Sequence, residues 1–213
     1  PLLRPDGTEY RAFVRGLVET HDGIELEFRA KPLPYLEIGG LVSIGDWRWD
    51  NDVDAEILDE NTNEVIDSMH IYSAGLKVSD APQTQFGLQA RMDLPKNFRM
   101  GASYVYNMNL YAQFEIDQDR DDESRIGMQP VQLEDYGYLD ANLSWNTRAR
   151  GLDVRLGLNV QNAMNTIYMN EADETWITNP QTGVKEQGTV ENGQLEGYWS
   201  YGRTVSFSVK IGF

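Results

Sequence analysis

The sequence predicts an all-β fold, with antiparallel up-and-down strands forming one wall of a transmembrane β-barrel. Three observations lead there. Apolar residues recur at every second position in seven separate segments. No segment carries a helical apolar stripe. The connections between the segments alternate strictly between short and long. The mean hydropathy is −0.52, and nowhere is there a run of about 18 apolar residues that could form a membrane helix. Barrel strands escape that criterion, because they alternate and average out as polar.

The first segment pairs Ile24, Leu26, Phe28 and Ala30 with intervening Glu25, Glu27, Arg29 and Lys31. In the second, Leu36, Ile38, Gly40, Val42 and Ile44 alternate with Glu37, Gly39, Leu41, Ser43 and Gly45. The third runs Phe86, Leu88, Ala90, Met92, Leu94, and the fourth Met100, Ala102, Tyr104, Tyr106, Met108, Leu110. Leu139, Ala141, Leu143 and Trp145 mark the fifth. Leu152, Val154, Leu156, Leu158 and Val160 mark the sixth, and Val205, Phe207, Val209, Ile211 and Phe213 the seventh. Successive side chains of a strand point to opposite faces, so each segment has one apolar and one polar face.

A soluble sandwich would turn the apolar faces onto each other; a membrane barrel turns them to lipid. The connections favour the barrel. Tight turns are expected at Pro32–Pro34, Pro95–Asn97 and Arg148–Arg150, and long loops over roughly 50–83, 115–135 and 165–200. That rhythm matches tight periplasmic turns and long outer loops. The polar face carries Glu25, Glu27, Arg29, Arg91, Asp93, Asp140, Asp153, Arg155 and Lys210, which suits a wet lumen.

Composition excludes several functions. The chain of 213 residues has 34 acidic and 18 basic side chains, a formal charge of −16. Non-specific nucleic-acid binding needs the opposite balance. With no cysteine and only 2 histidines, thiolate and histidine-rich metal sites are absent. No Ser-His-Asp motif and no glycine-rich phosphate loop occurs, so no enzyme activity is expected. The run Asp117–Glu123 has aspartates at alternate positions but lacks the glycine and the closing glutamate of a calcium loop. It reads as a solvated acidic loop. Residues 50–67, with eight acids and no base, are likewise expected to stay hydrated rather than collapse.

The chain ends on Phe213, with apolar residues at every second position back to Val205. This resembles the terminal strand of bacterial outer-membrane barrels. Gly23-Ile-Glu-Leu-Glu-Phe28, Asp80-Ala-Pro-Gln-Thr84, and Asn159-Val-Gln-Asn162 followed by Tyr168 resemble strand and strand-entry segments of TonB-dependent receptors. Ala163-Met164 stands where that family usually has Leu-Phe. Ser43–Trp49 and Asn109–Ala112 are similar to Bacteroidetes-type members in particular. The resemblance implies import of a scarce solute (siderophore, glycan or peptide) across the outer membrane of a Gram-negative cell, with the C-terminus in the periplasm. The partners it implies are outer-membrane lipid, the barrel-assembly machinery, the TonB complex acting through an N-terminal part, and, as a further candidate, a surface lipoprotein. No nucleic-acid partner and no cofactor is expected.

A full receptor of that kind has about 22 strands and a plugged lumen. Seven strands with a periplasmic C-terminus put the N-terminal end outside, so residues 1–22 are expected to end an extracellular loop or form a partial strand, and 23–213 to be the C-terminal barrel segment. A start at Pro1 without methionine fits a fragment or processed product. The competing readings are a small complete barrel with a structural or adhesive role, closed by an eighth strand over Tyr10–Val18, and a soluble carbohydrate-binding β-sandwich.

Candidate ligand contacts follow from extending the polar face to its outer end. Trp47 and Trp49 continue the second strand, Asn107, Asn109 and Tyr111 the fourth, and Tyr138 the fifth. Aromatics and amides there could stack on and hydrogen-bond a ligand. The alternative for these aromatics is packing against loops or plug, or a bulge that turns Trp47 outward. Phe28, Tyr106, Trp145, Tyr201 and Phe207 are expected to face lipid or the interfacial girdle. Val205, Phe207, Val209, Ile211 and Phe213 are expected to form the C-terminal assembly signal that the resemblance implies.

Overall fold

The computed structural model describes residues 2–3, 9–79, 81–115 and 120–212. Seven strands form one antiparallel sheet in chain order: β1 (Glu19–Leu33), β2 (Leu36–Trp49), β3 (Thr84–Leu94), β4 (Phe98–Met108), β5 (Tyr136–Ala149), β6 (Leu152–Gln161) and β7 (Thr204–Gly212). All seven expected strands are present. The tight connections are Pro34–Tyr35, a single turn at Pro95–Asn97, and Arg150–Gly151, where φ values of 51° and 85° make the primed turn that suits strand twist. The long connections, 50–83, 109–135 and 162–203, all leave from the opposite end.

The register shows what the alternation means in three dimensions. Apolar residues face each other across the whole sheet in continuous rows. One row runs Leu26, Val42, Phe86, Tyr106, and another Ala30, Ile38, Ala90, Ala102, Ala141, Val160, Val205. A third is Leu36, Met92, Met100, Leu143, Leu158, Phe207. The polar rows lie between them, for example Glu37, Arg91, Gly101, Asn142, Asn159, Ser206. A slip of one residue in any strand would put its apolar set among the charges.

Among the described residues, no second sheet covers the apolar rows. Leu26 is 65 % exposed, Leu88 62 % and Phe207 67 %, while Val154 is half-buried. The sandwich alternative requires these residues to be covered by another sheet. The polar face instead ties itself together, with Arg91 on Glu37 at 2.7 Å, Arg99 on Asp93 at 2.5 Å and Arg155 on Asn146 at 2.6 Å.

Strand tilt can be read from the same register. The middle of the apolar stretch is Leu26 on β1 and lies between Phe207 and Val209 on β7. Traced to β3, the row of Leu26 crosses at Phe86, that of Phe207 at Met92 and that of Val209 at Leu94. The apolar band therefore climbs about six to eight residues, roughly 20–26 Å, over six strand spacings of about 4.8 Å. The corresponding inclination is about 35–42°, within the range of barrel strands. At that tilt the nine residues of β7 cover about 23 Å, close to the ~25 Å apolar band of an outer-membrane barrel.

The buried core lies in the long connections. Glu9–Val14 does not join the wall; it pairs with Val53–Asp59, which pairs with Val65–Ile71, in a separate four-stranded sheet with Leu2–Leu3 at its edge. Residues 50–67 are thus not a hydrated coil. Val53, Ala55 and Ile57 alternate with Asp54 and Glu56, the apolar set is buried, and the acids point to water. Val53, Ala55, Ile71, Leu76 and Phe114 make one apolar cluster, and Leu110, Ala112, Leu133, Met169 and Ala172 another. Each cluster joins different connections.

Polar bridges complete this cap. Gln129 accepts from Lys77 N (2.9 Å), donates to Gly75 O (3.1 Å), and its carbonyl accepts from Gln187 (3.1 Å), touching all three long connections. Arg120, in the run expected to be a solvated acidic loop, is fully buried and pairs with the equally buried Glu174. The same run's Asp117 lies outside the described residues, as do Asp80 and Phe213.

Candidate ligand-binding site

The outer end of the polar face splits the expected contact residues into two groups. β2 stays in register with β1 to its last pair, Glu19 with Trp49, so no bulge turns Trp47 outward. Trp47 lies across Gly45, where an added Cβ would meet its indole nitrogen at 2.6 Å, and stacks on His21 at 4.9 Å. Trp49 meets Phe114 edge-on at 5.5 Å and packs against the first apolar cluster. Its position is that of a core residue of the cap.

The fourth strand ends earlier than its alternation suggests. Asn107 is buried in the inner row and accepts from Gln85 at 2.7 Å. β4 stops at Met108, and Asn109 takes φ 57°. Its side chain therefore does not continue inward but donates to Thr84 Oγ1 (3.1 Å), a member of the apolar rows. Leu110 is buried in the cap, and Tyr111 has the Lys77 ammonium 5.8 Å from its ring centre. Burial raises the Tyr111 phenol above its ordinary pKa.

Tyr138 belongs to a different assembly. A cleft of about 870 Å³ opens above β5, β6 and β7. The wall residues that line it, Tyr136, Tyr138, Asp140, Gln161 and Thr204, all sit in the polar rows, so the cleft opens on the inner face at the long-loop end. Tyr168 stacks on Tyr136 at 3.7 Å and 6°, with Tyr138 6.0 Å away and near-parallel. Burial raises the Tyr168 phenol, so it remains a neutral donor at physiological pH. Tyr198, Trp199 and Tyr201 line the cleft from the last long connection and keep much of their surface exposed. Tyr201 thus stands in the loop before β7, not on the wall where the alternation suggested lipid contact.

The local sequence explains how Tyr168 arrives there. Asn162 takes φ 48° at the end of β6, its backbone N–H donating to Asp140 (2.8 Å). Its side chain donates to Thr166 O (2.7 Å) and accepts from Thr166 N (3.0 Å), closing a five-residue turn. Asn165 at φ 56° then accepts from Arg203 N at 2.9 Å. Tyr168 and Ser200 exchange hydrogen bonds of 3.1 and 2.7 Å, which begin a short ladder between Met169–Asp173 and Glu196–Trp199. The spacing from Asn162 to Tyr168 was visible in the sequence. The aromatics that meet Tyr168 come from two distant segments, and no local pattern joins them.

The remaining outward aromatics fall as the alternation places them. Phe28, Tyr106, Trp145 and Phe207 are all on apolar rows. Trp145 stacks on Phe98 at 5.6 Å and donates to Lys96 O at the tight-turn end. Among the described residues, no three metal-ligating side chains come together.

No protein-family model matches the sequence, and no curated protein shows significant similarity to it. Comparison with solved structures finds a likeness of fold in the first of the two that follow. The siderophore receptor PiuA from Acinetobacter baumannii aligns over 92 % of this chain with a TM-score of 0.57 and 16 % identity. The ferric-catecholate import receptor Fiu from E. coli K12, open form, aligns over 91 % with a TM-score of 0.41 and 14 % identity. The chain spans 22 % of the former and 26 % of the latter. The seven-stranded sheet resembles part of a TonB-dependent receptor barrel.

Proposed function

We propose that this chain is the C-terminal part of the barrel of an outer-membrane TonB-dependent receptor, and that the receptor imports a scarce solute into the periplasm. The observation that carries the proposal is the pair of opposed faces. Apolar rows, one of them crossing all seven strands, have nothing among the described residues over them, and polar rows back them. Lipid on one side and a wet lumen on the other satisfy both. The open sheet, with β1 and β7 as edges, requires further strands to close it. The likeness to a siderophore receptor supports the same assignment.

In this orientation the tight turns and the C-terminus are periplasmic, and the knitted cap with its aromatic cleft is extracellular. TonB would act through an N-terminal plug, and the barrel-assembly machinery would insert the sheet. A surface lipoprotein is a further candidate partner for the cap.

The absence of cysteine makes the orientation directly testable. Asn61→Cys, in the cap, should react with a membrane-impermeant maleimide on intact cells. Tyr35→Cys, in a tight turn, should react only after the outer membrane is permeabilised. Equal labelling of the two in intact cells would refute the orientation. Import is tested by comparing solute accumulation in cells with and without TonB; equal accumulation would refute active transport.

A further inference from the structure

We infer that the cleft above β5–β7 is a binding site for a neutral oligosaccharide. The inference rests on the reading that this end of the sheet faces outward. The cleft's volume of about 870 Å³ suits a ligand of several rings. Tyr198, Trp199 and Tyr201 present exposed aromatic surface around a floor set by the Tyr136–Tyr168 stack. The C–H faces of pyranose rings pack on such surfaces without needing charge. Asp140 and Glu171 supply carboxylates for vicinal hydroxyls, and Asn170 and Gln161 supply amides that both donate and accept.

Charge separates this ligand class from the chelates. Among the described residues, no lysine, arginine or histidine lines the cleft, while two carboxylates do. The chain as a whole carries −16. A ferric catecholate, a compact polyanion, would meet repulsion and find no cationic partner. A hydroxyl-rich neutral chain loses nothing to that field. The likeness to a siderophore receptor is one of fold, at 16 % identity, and does not set the chemistry of this cleft.

The site is preassembled. The Asn162 turn, the Tyr168–Ser200 exchange and the short ladder beside them fix the aromatics before any ligand arrives. Less ordering on binding means less affinity lost.

The test uses the full-length protein in detergent, with intrinsic fluorescence and calorimetry as readouts. Linear α-glucan, β-glucan and xylan hexasaccharides serve as neutral probes, and a ferric tris-catecholate as the anionic probe. At least one hexasaccharide should bind, and Trp199→Ala should weaken it at least tenfold. Tyr35→Ala, at the opposite end of the sheet, should leave binding unchanged. The inference is overturned if no hexasaccharide binds at millimolar concentration, or if Trp199→Ala leaves binding intact. It is equally overturned if the ferric complex binds in a Trp199-dependent manner. Outside labelling of Asn61→Cys without sugar binding would sink this inference alone. Sugar binding without outside labelling would sink the outer-membrane orientation instead.

Discussion

Replacing Glu174 with glutamine should loosen the cap while leaving the wall intact. Arg120 and Glu174 both have no exposed side-chain surface. The guanidinium donates through Nε to one carboxylate oxygen at 2.8 Å and through a terminal nitrogen to the other at 2.5 Å, with a further bond to Met128 O at 2.9 Å. Gln187 adds a donor to the carboxylate at 3.0 Å. Removing one member of a buried pair leaves a charge without a counterion, at a cost of about 3–5 kcal/mol. Since about 1.4 kcal/mol is tenfold in an equilibrium constant, cap opening should rise by roughly two to three and a half powers of ten. The amides that join the two connections beside this pair, Gln113 N to Ala172 O and Glu174 N to Gln113 O, both 2.7 Å, report the opening. Their hydrogen exchange should accelerate by at least a hundredfold, while amides of the β3–β4 ladder keep their protection. Acceleration below tenfold would show that the pair does not hold the cap closed. The double change Arg120→Met with Glu174→Leu should recover much of the loss, because an apolar pair in the same space carries no unpaired charge.

Other outcomes follow from the same geometry. Val209→Arg, on an apolar row, should cost about 2–4 kcal/mol, whereas Ser208→Arg, whose neighbour Gly157 leaves room on the polar side, should be milder; outer-membrane yield of the full-length receptor measures both, and equal losses would contradict the lipid-facing assignment. Removing Phe213, the last residue of the proposed assembly signal, should lower that yield without changing the affinity of protein that does assemble. Asn162→Ala removes three hydrogen bonds, two with Thr166 and a longer one to Tyr201 O, and puts a Cβ-bearing residue without a side-chain amide at φ 48°, a loss of about 2–4 kcal/mol locally, visible as altered Trp199 fluorescence; an unchanged spectrum would show that the turn does not position the aromatics. Asp59 is held below the ordinary carboxylate range chiefly by the Thr62 N–H. Its stabilisation of the 59–63 turn should be complete above a pH of about 3.8 and fade as pH falls through the lowered value. The measurement is the amide chemical shift of Thr62 against pH, and Asp59→Asn should abolish the dependence.

The wall was legible because its two signals reinforce each other. Alternation at Leu26, Leu88 or Val209 is a property of a few adjacent residues, and the length of each connection is a simple count. The cap was less legible. In 50–67, eight acids mask the alternation of Val53, Ala55 and Ile57, although Asp54 and Glu56 are the wet side of that same strand. Arg120 sits among five acids in 117–123, and its burial depends on Glu174, more than fifty residues away. Asn109 was misplaced for a different reason. One positive φ ends the two-residue period, and asparagine tolerates that conformation without announcing it. Only Tyr138 of the expected contacts lines the aromatic cleft. Its neighbours Trp199 and Tyr201 belong to a segment with no wall period to extrapolate.

The interlocking of the three long connections also bears on how this surface can be recognised by other molecules. Away from the tips of its local hairpins, a patch on it combines residues far apart in the chain, as at Gln129, which touches segments around Gly75 and Gln187. An antibody raised against the folded protein would accordingly read a discontinuous epitope, and linear peptides cut from 50–83 or 162–203 would compete poorly for it. Sequence drift in one connection would be constrained by the others that pack on it, so change at this surface should proceed through paired exchanges across connections more readily than through single ones within one.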